Sequence, residues 1–297
     1  MGTSKEGARG KLVICPTPIG NLGDMTRRAL EALESADVIC AEDTRVTGKL
    51  LSAFGLSKRL ERLDEAMIGG RSAAIVDRVL AGQVIAYCSD AGMPGVSDPG
   101  LRLVDAALEA GAAVEVLPGA TAAATAYVAS GFANPRFYFH GFFPRKGGEQ
   151  QQVLATLRCL DACLLFYESP NRLVATLAVL ADAFPKRRVC VCRELTKLHE
   201  EVVRGSAAQV HARFAKRAQE GAVKGEIVLV VDGPSAEEAA DDAADATASA
   251  AERAAELVAG GMRNKDVSKA LVAEFGIPRN EAYDLALAAA NAAKGGE

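Results

Sequence analysis

The sequence contains no tryptophan, only three histidines and 5% aromatic residues in 297, which leaves little material for a His-rich metal centre or an aromatic cage. No apolar run approaches the roughly 18 residues that cross a bilayer, and no apolar segment before Pro16 suits a secretory leader, so neither membrane association nor a signal peptide is expected. Also missing are a Gly-x4-Gly-Lys-Ser/Thr phosphate loop, a Gly-x-Gly-x-x-Gly dinucleotide fingerprint and a Gly-x-Ser-x-Gly nucleophile elbow. Seven cysteines, an odd number, lie mostly inside apolar stretches without His or Cys partners at ligand spacing. They read as reduced, buried thiols of a cytoplasmic protein, with no metal site.

Strong basic charge is absent as well. The net charge is −4, which argues against a uniformly basic nucleic-acid binder. Its distribution is uneven, however: residues 234–250 hold five acids and no Lys or Arg, so the remainder, with 34 basic and 33 acidic residues, carries +1. Basic residues gather at Arg136, Arg145 and Lys146, and again over Lys186–Arg193 and at Lys197.

The most informative stretch is Ser89-Asp90-Ala91-Gly92-Met93-Pro94-Gly95-Val96-Ser97-Asp98-Pro99-Gly100, directly after the apolar run Val84–Cys88. It reads as a strand ending in a Gly- and Pro-rich acidic loop that brings backbone close to a ligand, followed by a helix with Asp98 as N-cap and Pro99 in its first position. A strand, a shaped loop and a helix make the ligand-binding corner of an open α/β sheet.

The first half alternates strand and helix patterns: strands at 12–15, 38–41, 84–88 and 114–117, helices at about 26–35 and 71–81, then an Ala-rich helix after Thr121. A crossover at 131–135 leads to strand candidates at 137–140, 163–167, 189–192 and 227–231, with a helix at 149–160 and another opened by Ser169-Pro170. The expected architecture is therefore two α/β domains, 11–133 and 134–233, with an acidic Ala-rich tether at 234–250 and a helical tail at 251–294. The tail reads as a packing, dimerisation or RNA-binding element. Four segments, 16–24, 42–45, 89–98 and 118–122, end strands of the first domain and so share one rim.

Taken in order, Cys15-Pro-Thr-Pro-Ile-Gly-Asn-Leu-Gly-Asp24, Ala41-Glu-Asp-Thr-Arg45, the 89–100 loop, Tyr167-Glu-Ser-Pro170 with Arg172, Arg193–Glu201 and Lys224-Gly-Glu226 resemble the tetrapyrrole-methylase superfamily of S-adenosylmethionine-dependent enzymes. Within it they are similar to the branch that methylates small-subunit ribosomal RNA. The resemblance implies transfer of a methyl group to the ribose 2′-hydroxyl of a cytidine in the decoding region of 16S rRNA, by a homodimer that holds its cofactor between two α/β domains and acts on 16S rRNA or the small ribosomal subunit. By position it implies cofactor contacts from Ser89, Asp90, Gly92, Thr121 and Ala122, with Ile19, Met93 and Tyr167 as further pocket residues. Met93 departs from relatives that carry Thr there.

A ribose hydroxyl is a poor nucleophile, so a base or an orienting hydrogen bond is expected. The candidates are Asp43, with Arg45 orienting it or holding a phosphate, and Lys197 or Glu200. Arg145 and Lys146, before two glycines, read as a flexible basic hairpin for phosphate, and Arg172 as a further substrate contact. Phe142 and Phe143 either stack a base or pack the core. Two competing readings remain: a tetrapyrrole or protein-side-chain methylase of the same fold, and a non-catalytic RNA-binding or ribosome-assembly factor.

Overall fold

The computed structural model describes residues 10–295. Strands β1 (Lys11–Ile14), β2 (Val38–Ala41), β3 (Leu60–Arg62), β4 (Val84–Cys88) and β5 (Ala113–Val116) form one all-parallel sheet in the order β3-β2-β4-β1-β5. Buried on both faces, its central strands read as continuous apolar runs, as a helix-covered parallel sheet requires. Alternation divides their side chains. Leu12, Ile14, Ile85 and Tyr87 face α3 (Glu65–Leu80) and α4 (Gly100–Glu109), while Val13, Cys15, Ala86 and Cys88 face α1 (Arg27–Ser35) and α2 (Thr44–Ala53).

The parallel neighbours β1 and β4 send their connections to opposite sides. The chain leaving β1 leads through α1 to β2, whereas the chain leaving β4 leads through α4 to β5 on the opposite side. The crevice beyond their carboxyl ends is the topological switch point, where open α/β sheets bind ligands.

The second sheet is mixed. Strands β6 (Phe137–Phe142), β7 (Cys163–Glu168), β8 (Arg188–Arg193), β9 (Glu201–Ser206) and β10 (Ile227–Val231) lie in the order β6-β7-β10-β8-β9, with only β6 and β7 parallel. Helix α5 (Ala122–Ser130) follows β5 in the chain but packs on this second sheet, its Ala123 and Ala126 against Leu165, Cys190, Cys192 and Val230. Packing thus assigns α5 to the second lobe, although a boundary at 133 groups it with the first. Helices α6 (Gly147–Arg158), α7 (Leu173–Ala183) and α8 (Ala207–Glu220) complete the chain through the sheets.

Both sheets belong to one compact unit that runs to Leu154 and resumes over Ala162–Asp232; a second unit comprises Ala155–Asp161 and the chain from Gly233. In the second unit, α9 (Ala236–Ala259), α10 (Asn264–Phe275) and α11 (Arg279–Gly295) enclose a small core of Ala250, Ala254, Val267, Leu271, Ile277, Ala282 and Ala286.

Several local expectations are corrected. Residues 234–250 are no tether: from Ala236 onward they form the first part of α9, capped by Ser235, whose hydroxyl accepts from the Glu238 amide. Gly147 and Gly148 open α6 rather than a basic hairpin. Asp98 does cap the turn, its carboxylate accepting from Gly95 and Gly100 amides at 2.7 and 2.8 Å, but α4 begins at Gly100, beyond Pro99. The Ser169-Pro170 pair likewise precedes α7, which starts at Leu173. Six of the seven cysteines are buried, Cys159 is exposed, and no two of them form a disulfide.

Close backbone approach fixes the rim. A β-carbon at Gly119 would lie 2.3 Å from Cγ and 2.5 Å from Cβ of Pro16, and a proline ring cannot rotate away. Gly119→Ala is therefore expected to lower stability by about 1–3 kcal/mol through overpacking, seen as a reduced urea midpoint; an unchanged midpoint would mean that the loops after β1 and β5 separate freely.

Candidate functional site

The loop after β1 and the loop after β4 hold each other. Thr17 and Gly92 exchange both main-chain hydrogen bonds, at 3.0 and 3.1 Å, in an isolated antiparallel bridge. Gly92 adopts φ +82° there, a conformation natural to glycine. A cavity of about 370 Å³ opens beside this bridge, within the size range of small-molecule sites. The first lobe contributes Ile19, Gly92, Met93 and Val96, and the start of α5 contributes Thr121 and Ala122. The ends of β6, β7 and β10 bring Phe142, Tyr167, Glu168 and Glu226.

Each wall has a local cause. Tyr167 is wedged edge-on between Phe139 and Phe142, with ring centroids 4.7 and 5.6 Å away, and burial raises its hydroxyl pKa while the Ala123 amide pulls it down. Phe143 turns inward against Phe166 and is buried, whereas Phe142 is 64% exposed at the cavity. The two phenylalanines thus divide the two roles considered for them: one packs the core and one offers a face.

At the floor, the buried Glu168 carboxylate accepts from the Ser169 amide at 2.6 Å, from the Thr176 hydroxyl and from Arg172 at 2.7 Å. Arg172 also donates to the Phe143 carbonyl at 2.6 Å. Through Nη2 the guanidinium ties the end of β6 to β7, a positioning task.

The turn 194–200 is strained and charged. Glu194 and Thr196 take φ of +52° and +67°, in the left-handed region that side chains rarely enter. Glu194 accepts from the Glu226 amide and from Lys197, both at 2.9 Å, and Lys197 reaches Glu226 at 3.2 Å. The Glu226 amide and Lys197 hold the Glu194 carboxyl below its ordinary pKa. Lys197 is opposed by burial, yet its two carboxylate partners hold its pKa above the ordinary lysine value. It is an ammonium at neutral pH, suited to orienting an oxygen and unsuited to taking a proton. Glu200 accepts from the Thr196 amide at 2.6 Å and so serves the turn.

Asp43 caps α2 and forms a two-point pair with Arg45. Hydrogen bonding from Arg45 holds the Asp43 carboxyl far below the carboxylate range, making it a weak base. Burial instead raises the pKa of the neighbouring Glu42, with Asp90 and Asp98 adding like charge.

Of the residues nominated for the cofactor, Ile19, Gly92, Met93, Thr121, Ala122 and Tyr167 share the cavity. Ser89 and Asp90 do not line it. They line a neighbouring hollow of about 330 Å³ with Thr17, Thr47 and Lys49, and the Asp90 carboxylate accepts from the Asp43 amide at 3.0 Å. Arg145 and Lys146 are exposed, with Lys146 3.3 Å from Glu149. Glu168 and Glu226 were not nominated as site residues; the Tyr167–Pro170 and Lys224–Glu226 motifs were the signal that could have found them.

Comparison with known proteins decides the lineage. Residues 11–211 match the family model of the tetrapyrrole (corrin/porphyrin) methylases. The chain belongs to that family. It is 39% identical over 278 residues to a protein of Halalkalibacterium halodurans named ribosomal RNA small subunit methyltransferase I, covering 93% of this chain and 94% of that one. The proteins of the same name from Synechocystis and Bacillus subtilis are 40% and 38% identical over 94% and 96% of this chain, which is 98% and 96% of theirs. Among solved structures, diphthine synthase superposes with a TM-score of 0.60 at 15% identity, over 78% of this chain and 93% of that one. Cobalt precorrin-4 methyltransferase gives 0.56 at 17% identity, over 77% and 98%. These two show the fold.

The family's cofactor is S-adenosylmethionine, and the cavity suits it. The first turn of α5 offers backbone amides next to Thr121, whose side chain makes no capping bond, a setting for a carboxylate. Glu226 supplies negative charge for a cationic ligand, and Ile19, Val96 and Leu195 supply apolar wall for an adenosine.

Two predictions follow from the charged clusters. Arg172→Ala leaves the Glu168 carboxylate buried without its cation and is expected to cost about 3–5 kcal/mol in urea unfolding, whereas a residue used only for RNA contact would leave stability at the wild-type level. Glu194 has a lowered carboxyl pKa in the fold, so its contribution is present above the ordinary carboxylate pKa and lost as the pH falls through the folded value. Glu194→Gln should therefore lower the Tm at pH 7, by about 1 kcal/mol in stability, with the gap to wild type closing in acid.

Proposed function

We propose that this protein transfers the methyl group of S-adenosylmethionine to the ribose 2′-hydroxyl of a cytidine in the decoding region of 16S rRNA, in the cytoplasm and as a homodimer. The observation that carries the reading is the identity of 38–40% over at least 93% of the chain with proteins named ribosomal RNA small subunit methyltransferase I. Exposed Phe137 and Tyr138 on the edge strand β6 and exposed Val128 on α5 support a subunit contact.

When bound, S-adenosylmethionine supplies an electrophilic methyl carbon on a sulfonium. The chain's own residues position and exclude water. Ile19, Met93, Val96 and Tyr167 wall the donor side, and the α5 amides with Thr121 anchor its charged end. Lys197, held as an ammonium by Glu194 and Glu226, orients an oxygen of the acceptor. Orienting two reactants in line can lower the barrier by roughly 7–11 kcal/mol, the main resource for this displacement, in which the oxygen–carbon bond would form as the methyl–sulfur bond breaks and the hydroxyl proton would leave to water. Exposed Phe142 at the cavity offers a face for the acceptor base.

The test incubates the protein with labelled S-adenosylmethionine and small ribosomal subunits from cells lacking it, followed by mapping of ribose methylation. Label at one cytidine ribose is the expected result. Label in a porphyrinogen or a protein in place of rRNA, or subunit binding with no methyl transfer, would overturn the reading.

A further inference from the structure

The helical unit carries a groove that the α/β machinery does not use. A concavity of about 760 Å³ lies between α10 and α11, lined by Lys265, Ser268, Lys269, Arg279, Asn280 and Tyr283, with Val272 at its base. Lys265 and Lys269 are one helical turn apart on α10, as are Arg279 and Tyr283 on α11. Among the described residues, no carboxylate lines the groove. Three acids of the unit are turned to other tasks: Glu281 accepts from Thr247, and Glu274 and Glu256 pair with Arg253. Tyr283 is 52% exposed, so its ring face is open to a ligand.

The two helices are joined through Gly276-Ile277-Pro278, with Gly276 at φ +67° and Ile277 buried in the core of the unit. This is a short helical hairpin with a glycine turn, presenting the start of its second helix. Three cations with hydroxyl, amide and aromatic groups, and no acid among them, match a polyanion that also carries flat rings.

We infer that this groove binds single-stranded RNA, the cations holding successive phosphates and Tyr283 stacking one base. The inference rests on ribosomal RNA as the substrate proposed above and adds a second place where that substrate is gripped. A-form duplex is a poor fit, since its major groove is too deep and narrow for side chains to read, whereas loops and unpaired strands expose bases for stacking.

The experiment measures binding of the full-length protein to small ribosomal subunits that lack the methyl mark, without methyl transfer, across a salt series. Replacing Lys265, Lys269 and Arg279 by alanine should weaken binding about a hundredfold at 0.1 M salt, and reduce the slope of log affinity against log salt by about 2. Tyr283→Ala should weaken it at least about fivefold, with Tyr283→Phe retaining wild-type affinity. Exchanging each cation for the other, Lys to Arg and Arg to Lys, should restore both affinity and slope.

Helical content by circular dichroism and affinity for S-adenosylmethionine should stay at wild-type values in every variant. Wild-type affinity and slope in the triple alanine variant would overturn the inference, as would weakened binding with an unchanged slope, which marks a structural effect. Binding through the groove by a protein that transfers no methyl group would sink the proposed activity and leave this inference standing.

Discussion

The exchange of main-chain hydrogen bonds between Thr17 and Gly92 is the contact on which the site depends. It joins the loops after β1 and β4, the neighbouring strands whose chains depart in opposite directions. Loops at such a point carry amide and carbonyl groups that no strand partner can satisfy, and an unpaired buried group costs about 1–3 kcal/mol. Pairing the two loops with each other removes that cost and makes a thin, fixed wall. On one side of it stand Ile19, Gly92 and Met93; on the other, Thr17, Ser89 and Asp90. A β-carbon at residue 92 would meet Ile19 at 3.2 Å and the Ala120 carbonyl at 3.3 Å, so the glycine also sets how closely the β5–α5 connection approaches.

Around that wall, charge is arranged for position more than for proton transfer. Asp43, Glu200 and Arg172 are each committed to a protein partner, the first as a helix cap and ion pair, the others to a turn and to a buried carboxylate. Lys197 is held between two acids, Glu194 and Glu226, the second of which lines the cavity, and its fixed positive charge needs no rearrangement when an oxygen arrives. Methyl transfer draws on alignment, which braces of this kind supply.

The central strands are legible because they are buried on both faces and form short apolar runs bounded by polar residues: Val38–Ala41, Val84–Cys88 and Ile227–Val231 have the limits that the sequence pattern suggests. Strands β3 and β9 were missed. Leu60–Arg62 is three residues with charge in the middle, and Glu201–Ser206 is an edge strand whose partner is set by a distant β8. The cavity was legible where backbone chemistry announces a loop, at Gly92 and Thr121. It was not legible for Ser89 and Asp90, which line the hollow on the other side of the wall, because the side on which a loop residue falls is set by the pairing of the two loops and not by its spacing from Gly92. Nor could spacing reveal that α5 crosses to the second sheet, which only packing decides.

The stretch 234–250 shows composition and context in competition. Acidic, Ala-rich and without large apolar residues, it has the signature of a chain with too little to bury. Yet alanine is the strongest helix former, Ser235 caps the first turn, and Glu237 and Glu238 lie where the helix dipole favours negative charge. What stabilises the helix further is its partner surface: Ala250 and Ala254 share a core with Ala282 and Ala286, and small side chains let helix backbones approach closely. The core of this unit joins those alanines with Val267, Leu271 and Ile277. On the outside, Lys265, Lys269 and Arg279 line one groove, while Glu256 and Glu274 pair with Arg253. The low net charge of the whole chain therefore conceals a local basic surface, and the partner of this unit is to be read from that segregation and not from the sum.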